Sequence, residues 1–315
     1  MSVSMRNKRR ILVLEAGGCC GISVVKLLKR NNIGTVIAAD MDPFSPTLSL
    51  SDIALVIPPT KGRGFTKAIK SIIEKFNVDV ILPTFEHGFE ELATLNDERF
   101  VTDFFSAMLC KNKYNFSKKC EEIGLPVPAT YKMESLEDIE SPMYIKPNKG
   151  VGSRNNYIAN SNSEFQRIKK YISCVDDFIV QEFLTGTHWN VDVLVLDNKF
   201  IVAIPRRDIK QKGGNCITVS VENNNGLVEF SKKVHKKLDI KSPFNLEVFE
   251  RNGIYTINEI NVRFGGGVIF GALSGVDIVS YTVTRDIKFL GKLREGIYSR
   301  YYEEIEIKKD KKILT

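Results

Sequence analysis

PFNLEVFERNGIYTINEINVRFGGG, residues 243–267, decides how this chain is read. Two runs of alternating apolar and polar residues flank Asn252-Gly253, a strong short-range signal for a β-hairpin. Loop length then sets the chemistry. With a two-residue Asn-Gly loop, Glu247 stands opposite Asn258, and Glu247 and Glu259 point to opposite faces. With a three-residue loop over 251–253 and Gly253 left-handed, Glu250 pairs with Ile254. Glu247, Glu259, Asn261 and Arg263 then share one face, because strand side chains alternate. The expected register is the second. It gathers two carboxylates, an amide and a guanidinium. Such oxygens suit Mg²⁺, which takes one or two carboxylates and completes its shell with water and substrate phosphate. An ordinary hairpin with a solvated polar face shows the same alternation, so the rest of the chain has to choose between the two.

The chain has 315 residues, enough for two or three domains with their own cores. Its 43% apolar and 26% charged residues are those of a globular protein. The net charge of +7 comes partly from the ends, Arg6 to Arg10 and Lys308 to Lys312, which read as solvated tails. With 38 acidic residues spread between them, the composition argues against a nucleic-acid partner. No apolar run is long enough to span a membrane, and Ile11 to Leu14 is too short for the core of a signal peptide. The six cysteines show no C-x-x-C spacing, which fits reduced thiols in a cytoplasmic protein. Cys19 and Cys20 fall in a loop that leaves a thiol exposed in one reading.

Working back from the hairpin, the first third alternates strands and helices. Arg10 to Glu15 is a buried strand, followed by Gly17-Gly18-Cys19-Cys20-Gly21 and a helix from Ile22. Gly34 to Ala39 is a second strand ending at Asp40. Ile53 to Ile57 and Val78 to Leu82 are further strands, and Phe65 to Phe76 and Phe85 to Leu95 are helices. This pattern means a parallel sheet. The glycine string is not G-x-G-x-x-G, so it serves a nicotinamide site poorly and a tight turn well. A helix follows over 112–123, a strand over 143–147, and a glycine loop over 148–155, of which Lys149 to Asn155 should be poorly ordered without a nucleotide. Hairpins around Asp197-Asn198 and Asn252-Gly253 make the second half α+β. Ile204-Pro205 ends a strand, so Arg206, Arg207, Lys210 and Lys212 fall in a loop. Asp277 to Leu290 reads as a closing helix.

Four features then come in order. Lys113 opens a helix. Lys146 lies in the strand before the glycine loop of Gly150, Gly152 and Ser153. Glu182, Phe183 and Leu184 close another strand. Glu247 and Glu259, twelve residues apart, lead to Asn261 and Arg263. Each has a plain reading: a surface lysine, a turn, a strand end. Together they suit a nucleoside triphosphate, with lysines and loop amides for phosphates and acids for magnesium.

On these residues the chain resembles the ATP-grasp enzymes, above all the single-core relatives of the carbamoyl-phosphate synthase large subunit and biotin carboxylase. The resemblance implies an α/β parallel-sheet domain over 1–105, then an α+β ATP-grasp fold whose small subdomain (106–185) and large subdomain (186–315) clamp ATP. It implies that Lys113 and Lys146 hold phosphates while Gly150, Gly152 and Ser153 close over them. Glu182, Phe183 and Leu184 would meet adenine. His188 falls where the family often carries a glutamate for the ribose, although a plain surface histidine reads equally well. Glu247, Glu259 and Asn261 would hold Mg²⁺, or Mn²⁺ in its place, and Arg263 would stabilise an acyl phosphate. Arg206 or Arg207 would clamp the substrate carboxylate, arginine being the usual bidentate partner. The activity implied joins a small carboxylic acid, such as an amino acid, to an amine or a thiol with release of ADP. A homodimer is compatible with this. The competing readings are a nicotinamide-dependent oxidoreductase built on the first domain and a nucleotide-binding regulator without chemistry.

Overall fold

The computed structural model describes residues 8–140, 142–150, 155–307 and 312–313. Strands β1 (Arg10–Leu14), β2 (Thr35–Asp40), β3 (Ile53–Val56) and β4 (Val80–Pro83) form the first sheet. They are parallel in the order 3-2-1-4. Ile11 to Leu14 are all fully buried. That is why β1 reads as an unbroken apolar run: helices cover both faces of the sheet. The sheet is extended past β3 by a parallel pairing from residues 312–313 that the sequence did not announce.

Strands β5 (Thr130–Lys132), β6 (Met143–Pro147), β7 (Tyr157–Ala159) and β8 (Phe178–Glu182) make a small antiparallel sheet in the order 5-8-6-7. It has a core of its own around Met133, Ile145, Phe165 and Val180. Strands β9 (Thr187–Leu196), β10 (Lys199–Lys212), β11 (Asn215–Val221), β12 (Phe244–Arg251), β13 (Ile254–Asn261) and β14 (Gly296–Ser299) make the third sheet. Its order is 13-12-9-10-11-14. Two further cores run from the parallel sheet into this one: Leu12, Phe89 and Ala107 share a cluster with Leu246 and Ile260. The hairpin β12–β13 therefore shares a core with the parallel sheet and the helices that follow it.

The expected closing helix is shorter than read. It spans Ile278–Thr284, capped by the Asp277 side chain, which accepts from Ser280 N. Arg285 turns left-handed at φ 61° and a 3₁₀ turn follows over Ile287–Phe289. The β-branched Val279, Thr282, Val283 and Thr284 give this helix little intrinsic reason to continue. The helix expected over 85–95 likewise opens as a 3₁₀ turn, Glu86–Gly88, before Phe89–Ala93. Among the described residues no helix is long and apolar enough to cross a membrane.

Candidate active site

The turn between β12 and β13 consists of Asn252 and Gly253 alone, at φ 52° and 77°, and Arg251 faces Ile254. The three-residue loop does not form. Asn-Gly accepts two consecutive left-handed residues, so the tight turn costs little. Left to itself, that turn would set Glu247 opposite Asn258. A β-bulge intervenes: Val248 faces Ile257, but Glu247 faces Glu259. Asn258 is the extra residue, and one extra residue inverts the parity of everything beyond it. Glu247 and Glu259 thus reach the shared face by a bulge and not by the loop.

The small sheet looks onto this face. Tyr144 and Lys146, two residues apart on β6, both lie in the fields of Glu259 and Glu247. Lys146 is buried, and that burial pushes its ammonium down to about 8 against the opposing pull of Glu259. Lys113 is buried as well and donates to Gly150 O at 2.9 Å, tying its helix to the start of the glycine loop. A water-sized cavity of about 10 Å³ lies between Lys113, Gln181, Asn258 and Glu259. Gly152 and Ser153, with residues 151 and 154 of the expected loop, lie outside the described residues. Glu182 ends β8 with its side chain exposed and its amide donating to Ala129 O at 3.0 Å; Phe183 and Leu184 follow the strand.

His188 is neither free nor at a rim. It sits on β9 opposite Phe249, with Nε2 3.6 Å from Glu247 Oε2 and its ring 4.9 Å from the Phe249 ring. Burial alone would lower its pKa, yet the Glu247 carboxylate raises it. Burial acts upward on Glu247 in turn, and His188 and Lys146 hold its carboxyl below the usual range.

The acids fit a hard cation. Asn258 and Asn261 reach Glu247 only at 3.5 Å, so its oxygens are loosely held. Among the described residues no three His, Cys, Asp or Glu side chains come together as a metal cluster. Two carboxylates and an amide oxygen suit Mg²⁺, which draws its remaining ligands from water and phosphate.

Arg263 follows on the same segment. It donates to Phe264 O at 3.0 Å and to Asn261 Oδ1 at 3.3 Å. Its Nε is buried without a hydrogen-bond partner and lies 3.6 Å from Glu86 Oε1, which has none either. Sequence reasoning missed Glu86, Tyr144 and Glu15. Tyr144 was accessible from the period-two spacing to Lys146; the two acids sit where strands end, with no motif around them.

Glu15 directly follows β1 at φ 54°, a rare conformation for a residue with a side chain. Burial lifts its carboxyl to about 8, despite a hydrogen bond from Thr60 at 3.2 Å. A carboxyl raised in the folded state lends stability below its unfolded pKa, and that stability is lost as pH climbs through the folded one. Glu15→Gln removes this titration. The mutant should melt close to the native protein near pH 4.5 and gain a few degrees over it by pH 8. Melting curves across that range check this; a constant difference would mean that Glu15 is not held in this way.

Arg206 and Arg207 need correcting. They do not lie in a loop but in β10, which continues to Lys212. Pro205 was read as a stop because proline lacks the ladder N–H. Its carbonyl accepts from Glu222 N, just past the end of β11, so the missing N–H falls where that ladder has already finished. Arg206 is buried, at 3.1 Å from both Asp192 and Asp208. Arg207 points the other way and pairs with Glu222 at 3.0 Å. Neither guanidinium is brought to the hairpin carboxylates as an open clamp.

The glycine turn after β1 is also spoken for. Asp40 accepts from Gly17 N at 2.6 Å and from Asp42 N at 2.9 Å. Cys19 and Cys20 begin the helix Cys19–Arg30, and the segment after Arg263 covers its start: Cys20 Sγ meets Phe264 O, and Ser23 Oγ donates to Gly266 O, both at 3.0 Å. A dinucleotide pyrophosphate needs that helix start and close backbone approach, and here protein fills the place. Burial pushes the Cys20 thiol up to about 12, so it is no nucleophile.

Residues 110–267 match the family model of the ATP-grasp domain, and residues 11–103 match the PylC-like N-terminal domain. The carbamoyl phosphate synthase large chain of Pyrococcus furiosus is 25% identical over 213 residues, covering 61% of this chain and 20% of that protein. The D-aspartate ligase of Enterococcus faecium is 26% identical over 219 residues, covering 59% of this chain and 52% of that one. The chain thus spans from a fifth to about half of the length of these relatives. Among solved structures, N5-carboxyaminoimidazole synthetase from Staphylococcus aureus, complexed with ADP, superposes with a TM-score of 0.71 at 15% identity, over 92% of this chain and 80% of that one.

Proposed function

Because the chain belongs to the ATP-grasp family, we propose that it is an ADP-forming ligase that activates a small carboxylic acid as an acyl phosphate and passes the acyl group to an amine. The observation that carries this reading is the bulged hairpin, which sets Glu247 against Glu259 beneath the buried Lys146. A carboxylate is a poor electrophile because its oxygen leaves badly; phosphorylation turns that oxygen into a good leaving group, and positive charge must meet the phosphoryl group in transit.

Lys113 and Lys146 bind the nucleotide phosphates. Lys146 is suited to this, since burial has stripped water from its ammonium and an anion would make up for that loss. Glu182 has spent its amide, so backbone N–H contacts to adenine fall to Phe183 and Leu184. Glu247, Glu259 and Asn261 would hold magnesium, which when bound supplies neutralising charge for phosphoryl transfer. His188, which the resemblance had offered to the ribose and which reads equally well as a plain histidine, orients Glu247. Arg263 holds the oxygen of the acyl group as its charge changes. The division at residues 105 and 185 follows this reading, the small sheet forming the part that closes on the hairpin.

The D-aspartate ligase likeness favours an amino acid among the substrates. The test is a screen of amino acids and simple dicarboxylates, in pairs with amines, for ATP-dependent phosphate release. ADP and phosphate are the expected products. AMP and pyrophosphate would refute the acyl phosphate, and no turnover with any pair would favour the regulator.

A further inference from the structure

Arg263 heads a segment, Phe264 to Gly267, that separate parts of the chain grip. Toward β9 and β10, a Cβ on Gly265 would stand 2.4 Å from Asp192 Oδ1, and one on Gly267 2.2 Å from the Arg206 guanidinium. Toward the first domain, a Cβ on Gly266 would stand 3.1 Å from Cys19 Sγ. Glycine is what lets the backbone come so close on both sides. The carbonyls are taken up as well. Phe264 O accepts from the Cys20 thiol and from Arg263 Nη1, each at 3.0 Å. Gly266 O accepts from Ser23 Oγ at 3.0 Å and from Arg300 Nη2. Arg300 also donates from Nε to Cys216 O at 3.0 Å and from Nη2 to Ser23 Oγ at 3.4 Å, with its guanidinium 5.0 Å from the centre of the Phe270 ring. Each of these acceptors is neutral. A cation that spends its fork on carbonyls and a hydroxyl fixes geometry more than it balances charge.

We propose that Arg300 is a positioning residue for Arg263, acting with Ser23 and Cys20 through the carbonyls of Phe264 and Gly266. The proposal rests on the ligase reading above and deepens it by naming what sets the acyl-binding guanidinium in place. Arg263 has three holds. Glu86 Oε1 faces its Nε at 3.6 Å, Asn261 Oδ1 accepts from Nη2 at 3.3 Å, and Phe264 O accepts from Nη1 at 3.0 Å. The last is the shortest, and it belongs to the gripped segment. A guanidinium is a rigid fork, so a shift of that carbonyl carries the whole group with it. Displacing a reacting partner by about 1 Å can cost about a hundredfold in rate. Cys20 and Ser23 come from the helix Cys19–Arg30, and Arg300 from just past β14. The first domain and the far end of the chain thus meet on one carbonyl, Gly266 O, three residues from Arg263.

The Arg263 Nε–H resonance of the ¹⁵N-labelled full chain, assigned by its loss in Arg263→Lys, reports how that side chain is held. Two variants test the grip. Arg300→Met keeps a stem over Phe270 and loses the fork. Ser23→Ala removes one hydroxyl at a fully buried position, where alanine fits. In both, the resonance should move and its hydrogen should exchange faster with water. ATP affinity should stay within about twofold, while kcat for phosphate release falls about tenfold or more in Arg300→Met and less in Ser23→Ala. A native resonance in both variants, or a moved one at native kcat, would overturn the proposal. So would a loss of ATP affinity as large as the loss of rate. If Arg300→Met does not fold, Ser23→Ala decides on the same readings. A moved resonance in a protein whose native form turns over no acid–amine pair would leave the positioning standing and sink the ligase reading. Native turnover in both variants with an unmoved resonance would do the reverse.

Discussion

Glu259→Gln should slow ATP-dependent phosphate release by roughly a hundred- to a thousandfold, while the melting temperature moves by no more than about 2 °C. Glutamine keeps the shape and one acceptor oxygen but loses the negative charge, and hard cations select anionic oxygen. Loss of one transition-state electrostatic contact typically costs about 3–4 kcal/mol. The fold has no comparable stake in the residue. Glu259 is only partly buried on the edge strand β13, opposite Glu247 in a like-charged pair. Removing one charge of such a pair relieves repulsion, so the mutant should be as stable as the native protein or slightly more so. A solvated decorative residue would change stability by less than about 0.5 kcal/mol and leave activity alone. Both readings therefore predict similar melting curves, and the rate alone separates them. Steady-state phosphate release, checked with a nucleotide-binding measurement, decides. A mutant that keeps more than about a third of the native rate would return Glu259 to the ordinary face of a hairpin.

The grouping of Glu247, Glu259 and Asn261 was legible because period-two alternation leaves only two outcomes, same face or opposite. The sequence could not say how parity is set. A loop residue and a bulge residue are interchangeable in that count, and Asn258 carries no local mark of a bulge. Lys113 and Lys146 were legible through their order along the chain; their burial was not, because it depends on the small sheet folding over the hairpin. Arg206 was misread for a specific reason. Proline is a reliable stop only where its N–H faces a partner strand, and the end of β11 is a matter of tertiary structure. Glu15 and Glu86 were invisible because what distinguishes them is how far the fold withdraws their carboxyls from water, and a sequence carries no mark of that.

The corrected place of Arg206 carries its own prediction: Asp192→Ala should destabilise the protein by about 3–5 kcal/mol, the usual result of stripping one partner from a buried ion pair. Asp192 is 1% exposed and Arg206 2%. The aspartate accepts from Arg206 Nε and from Asn245 Nδ2, each at 3.1 Å. The glycine segment after Arg263 closes over both: a Cβ on Gly265 would stand 2.4 Å from Asp192 Oδ1, and one on Gly267 2.2 Å from the Arg206 guanidinium. There is no room for the arginine to swing to water when its partner goes. Asp208, 3.1 Å away, keeps half of the compensation, which places the loss inside that range and not beyond it. For a chain of this size it corresponds to a fall of about 10 °C in melting temperature. Differential scanning calorimetry measures it directly. Replacing Arg206 by Met together with Asp192→Ala should recover much of the loss, because the cost lies in the orphaned charge more than in the lost attraction. An Arg206 that instead served as an open clamp for a substrate carboxylate would behave differently. Asp192→Ala would then leave the melting temperature near native and shift only KM for the acid.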